Sequence, residues 1–210
     1  MDRFNSSDPV INLLRDTTDF SIYEEMIATN YEERILVIND EITDALLEDV
    51  CLAIFNWNRK DADIPSDKRK PIKLYINSGG GGVVFGNHLI DCIRLSKTPV
   101  HTVAMSNCCS MASYLLVAGH QRYCFPGSVI LLHDGQSGVY NSSNKARDTM
   151  AFYDKLDERN KKFLMERTKL EEEFLNEIKD REYYMFAEEA KERGIIDYIV
   201  GVDCDLDDIL

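Results

Sequence analysis

Short apolar runs alternate along this chain with longer stretches whose apolar positions recur every three or four residues. The runs 34-RILVI-38, 72-IKLYI-76, 99-PVHTVAM-105 and 128-SVILLH-133 read as strands. Between them, 41-EITDALLEDVCLAIFNWN-58 puts Leu46, Val50, Ala53 and Ile54 on one helical face, and 84-VFGNHLIDCIRLS-96 repeats that spacing. The stretch 110-SMASYLLVAG-119 is an apolar helix closed by glycine, and 59-RKDADIPSDKRKP-71 is a polar connector. Strands that are apolar throughout, alternating with helices, predict an α/β fold with a parallel sheet covered by helices.

From about Asn144 to Glu182 the pattern changes. Neither glycine nor proline occurs there, and Met150, Tyr153, Leu156, Phe163, Leu170 and Phe174 recur near helical spacing among charged residues. This predicts one long amphipathic helix, or two broken ones, that packs along the body or projects to a partner subunit. The segment 186-FAEEAKERGIIDYIV-200 reads as helix, glycine cap and short strand, and residues 1–20 read as a mobile or partner-dependent arm.

Composition narrows the function. The chain has 210 residues, 44% hydrophobic and 29% charged, which suits one domain with a substantial core plus an appended helical element. A net charge of -13 argues against a general nucleic-acid binder, which needs clustered Lys and Arg. The six cysteines form no CxxC pair, and no histidine stands at zinc-finger spacing to them, so no metal site is expected. Most lie in apolar runs, as free thiols do in a reducing compartment. The opening residues lack a signal peptide's basic-then-apolar order, and no segment has the length of a membrane span. The expected location is the cytoplasm.

The candidate chemistry begins with four glycines in 74-LYINSGGGGVVFG-86, directly after a strand. A phosphate loop needs a following Lys–Ser/Thr pair, and the dinucleotide spacing GxGxxG fits no starting glycine here. Close helix–strand packing explains one or two glycines better than a run of four. Bare backbone N–H groups at a strand-to-helix turn also suit a developing oxyanion. That reading requires a nucleophile at another such turn. Ser110 opens an apolar helix straight after a strand, where it serves either as nucleophile or as a plain N-cap. Cys108 and Cys109 are rival nucleophiles that look like strand-end packing. His133 ends an apolar strand before Asp134-Gly135 and is the best-placed base. His88 falls within a helix, His101 within a strand and His120 in a turn.

In order, 33-ERILVINDEI-42, 75-YINSGGGG-82, 110-SMASYLLVAG-119, 129-VILLH-133, the long charged helix and 188-EEAKERGIID-197 resemble the proteolytic subunit of the Clp protease, a serine peptidase, from about Glu33 to Val200. The resemblance implies a crotonase-like spiral of parallel strands and helices with a projecting handle helix. It divides the chain into an arm (1–32), a head (33–144 with 183–200), a handle (145–182) and an acidic tail (201–210). It implies Ser110 as nucleophile, His133 as general base and the N–H groups of Gly81 and Met111 as oxyanion donors. An extended polypeptide substrate would lie along Gly80, Gly135, Gln136 and Ser137. No cofactor or metal is implied, and no nucleic acid or membrane. The implied partners are copies of the chain in two stacked seven-membered rings and a hexameric AAA+ unfoldase.

The chain departs from the family's pattern in three places. Gly79 replaces the usual proline of the glycine turn, and Ser106-Asn107-Cys108-Cys109 replaces glycine and alanines. Anchoring on 187-AEEAKERGIID-197 puts Ile178 where the orienting aspartate is expected, two residues before Asp180. Asp180 is the chosen acid, with Glu177 and Glu182 in reserve. Three alternatives stand beside this reading: a weakly active structural subunit of a mixed ring, a crotonase-type acyl-CoA enzyme, and a lysine-dependent signal-peptide peptidase of the same fold. The acyl-CoA enzyme needs no serine–histidine pair, and signal-peptide peptidases usually carry a membrane anchor.

Overall fold

The computed structural model describes residues 22–135 and 138–210. The expected arm up to residue 21, and Gln136 and Ser137, lie outside the described residues. Helix α1 (Ile22–Glu32) leads into β1 (Ile35–Ile38). A π-helical turn, Leu47–Cys51, runs directly into α2 (Leu52–Lys60). Then follow β2 (Ile72–Ser78), α3 (Val83–Leu95), β3 (Val100–Cys109), α4 (Met111–Ala118), β4 (Gln121–Cys124) and β5 (Val129–Leu132). The second half holds α5 (Ser143–Arg167), α6 (Glu172–Glu177), β6 (Tyr183–Met185), α7 (Ala187–Glu192) and β7 (Tyr198–Ile199).

Seven strands form one sheet in the order β1-β2-β3-β4-β7, with β5 joined to β3 and β6 joined to β5. All pairs are parallel except β5–β6. Strand β3 is long enough to change partners: His101–Ala104 pairs with β4, and Asn107–Cys109 pairs with β5. A register shift against β2 between Ile76 and Ser78 accompanies the change. Such irregularities re-aim the chain, and here the second half of β3 carries the turn to Ser110.

The main core lies between the sheet and helices α2, α3 and α4, around Ile54, Leu74, Ile76, Leu89, Ile93, Leu115 and Leu116. Helix α4 is apolar on all sides and buried from Met111 to Ala118 except at Tyr114, as befits a central helix. A smaller cluster of Tyr75, Val103, Tyr123, Val200 and Ile209 covers the other face. There the Tyr75 hydroxyl donates to the Ile209 carbonyl and ties down the acidic tail.

Of the two forms expected for 144–182, one long helix or two broken ones, the structure has the second. Helix α5 has 25 residues, about 37 Å of rise, and buries only Asn160, Phe163 and Leu164 near its C-terminal end. Met150 and Phe152 on the preceding turns are exposed. Residues 183–185, just past the expected handle, form β6, and β4 is a further strand that the sequence pattern does not show. Among the described residues no helix is long and apolar enough to cross a membrane.

Candidate active site

The register of β3 against β5 sets two side chains against each other. Cys109 pairs with Leu131, and the Ser110 N–H donates to the Leu131 carbonyl at 3.0 Å. Ser110 itself adopts φ 54, ψ -128, a conformation costing a non-glycine residue about 1–3 kcal/mol. Its side chain makes no cap bond to the helix it precedes. The Oγ lies instead 2.6 Å from Nε2 of His133. A serine held in a strained strand-to-helix turn, aimed at an imidazole and not at its own helix, is not an N-cap. Cys108 is fully buried, with its thiol pushed well above the ordinary range by that burial.

Three of the four glycines of the preceding turn each answer a different neighbour. A Cβ on Gly80 would stand 2.6 Å from the Ser110 Cβ, and one on Gly81 would stand 2.4 Å from the Ile42 carbonyl oxygen. Both have positive φ, 110 and 149. Gly82 makes room for the Phe85 ring, whereas a Cβ on Gly79 would meet nothing within 4 Å. The turn is pinned by bonds from the Ile42 N–H to the Gly80 carbonyl and from the Gly82 N–H to the Ile42 carbonyl, both 2.8 Å. Among the described residues no hydrogen bond takes up the N–H of Gly81 or of Met111. Gly86 on α3 leaves space for the Met111 side chain, which is buried and holds the first turn of α4 in place.

Ser110 and His133 open into a cleft of about 330 Å³ whose walls include Met111, Tyr114, Gly135, Asp157 and Ile178. Helix α5 supplies a carboxylate cluster, with Asp154, Asp157 and Glu158 facing Asp134 across the opening. Burial, then the charges of Asp134 and Asp154, raises the Asp157 pKa above the usual carboxylate range. Burial, helped by Asp157 and Asp134, pushes Tyr114 up to about 12, so it stays a neutral phenol. Sequence reasoning did not assign Tyr114, Asp134 or Asp157 to the cleft. Tyr114 and Asp157 sit in apolar and charged helical patterns, and Asp134 simply follows the predicted strand that ends at His133, so none carries a local sign of it.

The structure does not bring Asp180 to the imidazole. Asp180 is exposed at φ 58, and its N–H donates to both carboxylate oxygens of Asp134, at 3.2 and 3.3 Å. Glu177 and Glu182 are exposed as well, and Glu182 accepts from the Tyr184 hydroxyl. Among the described residues none of the three is bonded to His133. Ile178, buried, occupies the wall of the cleft.

The family model described as Clp protease matches residues 17–203. The proteolytic subunit 1 of the ATP-dependent Clp protease of Bacillus cereus (strain ATCC 10987 / NRS 248) is 32% identical over 183 residues, which cover 86% of this chain and 90% of that protein. The chain belongs to the Clp protease family. It is a ClpP-like proteolytic subunit and a serine-type endopeptidase, and the parallel sheet with its covering helices is the family's fold. Clp protease membership also implies oligomeric assembly and association with Clp ATPases.

Proposed function

We propose that this Clp-type subunit hydrolyses unfolded polypeptides through an acyl-enzyme on Ser110. The observation that carries the reading is the strained Ser110 whose Oγ lies 2.6 Å from His133 Nε2. With the imidazole proton on Nδ1, the hydroxyl donates to Nε2. Attack on a peptide carbonyl then passes the hydroxyl proton to Nε2, which returns it to the leaving amine. The N–H groups of Gly81 and Met111, free of bonds within their turns, hold the oxyanion. Substrate lies extended beside Gly80 and Gly135, with Gln136 and Ser137 as further proposed contacts, gaining main-chain bonds with little side-chain preference. Asp180 is our candidate for orienting the imidazole. Its backbone is tied to Asp134, the neighbour of His133, and the reading requires a local turn of 178–182 to swing in its carboxylate. In this reading the head spans 33–144 with 183–200. The handle, 145–182, interdigitates between two stacked seven-membered rings in the cytoplasm, fed by a hexameric AAA+ unfoldase.

A fluorophosphonate probe with adduct mapping by mass spectrometry tests this. Adduct at Ser110, lost in Ser110→Ala and sharply reduced in His133→Ala, is the expected result. An assembled protein that takes no label refutes the reading in favour of a structural subunit.

A further inference from the structure

The six cysteines are free, and two of them face each other across a seam that also holds a histidine. Cys51 closes the π-helical turn Leu47–Cys51, while His88 and Cys92 lie one turn apart on α3 and so share a face. The two sulfurs and a ring nitrogen of His88 all lie within 4.8 Å of one another. Both thiols are buried and His88 is exposed, so the triangle sits at the solvent edge of a helix–helix contact. A tetrahedral zinc ion holds such ligands about 3.4–3.8 Å apart, given bonds of about 2.3 Å to sulfur and 2.0–2.1 Å to nitrogen. Side-chain rotations of about an ångström therefore close the triangle on an ion.

The π-helical turn is a second, independent sign. It widens the helix at the residue that presents Cys51, and such bulges concentrate at functional sites. No spacing rule finds this set, because one ligand comes from a different helix.

We propose that Cys51, His88 and Cys92 bind a borderline-soft divalent transition-metal ion, zinc foremost, with water in the fourth position. The ion staples α3 to the helix that begins at Leu47. Two sulfurs and one imidazole in a tetrahedral arrangement select zinc over harder cations. A Cys51–Cys92 disulfide is the rival occupant of the seam, and it leaves the histidine without a role. The staple fixes the helix that follows the glycine turn and is independent of the peptidase chemistry.

The test is titration of the reduced full-length chain with cobalt(II), then displacement by zinc. Equimolar binding is expected, with sulfur-to-cobalt charge-transfer bands and the intense visible bands of a tetrahedral ion. His88→Ala, at an exposed position that leaves the fold intact by circular dichroism, weakens binding by about tenfold or more. Cys92→Ser removes the charge-transfer bands. Reduced wild-type protein without these bands, bands unchanged in His88→Ala, or a Cys51–Cys92 disulfide as the sole product each overturns the proposal.

Discussion

Replacing Gly80 by alanine tests the packing that places the nucleophile. The added methyl carbon would stand 2.6 Å from the Ser110 Cβ, 2.9 Å from the Cys109 carbonyl oxygen and 3.1 Å from the Ser110 Oγ. The Ser110 Cβ and the Cys109 carbonyl cannot rotate away, so the strand-to-helix turn must move. The φ of 110 adds about 1–2 kcal/mol of backbone strain for an L side chain. Relief requires shifting Ser110 by most of an ångström. Misplacement on that scale costs about 100-fold in rate, or about 2.7 kcal/mol of transition-state stabilisation. In hydrolysis of a fluorogenic peptide, Gly80→Ala should lower kcat by about that factor with a smaller change in KM, and should slow fluorophosphonate labelling in parallel. Gly79→Ala is the control: its Cβ enters open space, so activity stays within about twofold. Near-normal labelling of Gly80→Ala, or equal losses in the two variants, would refute the reasoning.

Asp180→Ala should lower kcat by about 10- to 100-fold while Glu177→Ala and Glu182→Ala remain within about twofold; an unaltered Asp180→Ala withdraws the acid assignment. His101 has its pKa pushed from 6.5 to about 4, chiefly by burial and then by the positive charges of His120 and Lys73. The unfolded chain therefore binds the proton more readily, and stability is full above pH 6.5 and falls as pH drops toward 4, by about 2–3 kcal/mol for this group. Thermal unfolding of His101→Asn across that window should show a flatter pH dependence than wild type, and an identical slope would disprove it. Phe152→Glu, on the exposed part of α5, should stop ring stacking in sedimentation velocity while leaving Ser110 labelling in place. A wild-type mass would exclude that surface from the interface.

The alternation of apolar runs and helical spacing made most of the parallel sheet legible, because strands buried on both faces must be apolar throughout. Strands β4 and β6 were not legible. QRYC and YYM have no pattern of their own and become strands only through partners already in the sheet, β3 with β7 and β5. Ser110 and His133 could be singled out as candidates because each ends a strand in a position that serves chemistry. The reason for Gly80, Gly81 and Gly82 could not be read, since Ser110, Ile42 and Phe85 reach them from different distances along the chain, and nothing in the structure explains Gly79. Nor could the placement of Asp180, whose surroundings depend on a local turn and on the Asp134 carboxylate.

The antiparallel pairing of Leu132 with Tyr183 has an architectural corollary. Strands β5 and β6 are the two arms of a hairpin, and everything called the handle is its connecting loop. The cost of closing a loop grows only with the logarithm of its length, so length changes in the part of α5 that precedes its cleft-lining Asp154 and Asp157 bear weakly on the pairing of the two arms. Two quantities are thereby uncoupled: the length of that exposed projection is free to vary, while the spacing of serine and histidine stays locked by strand register.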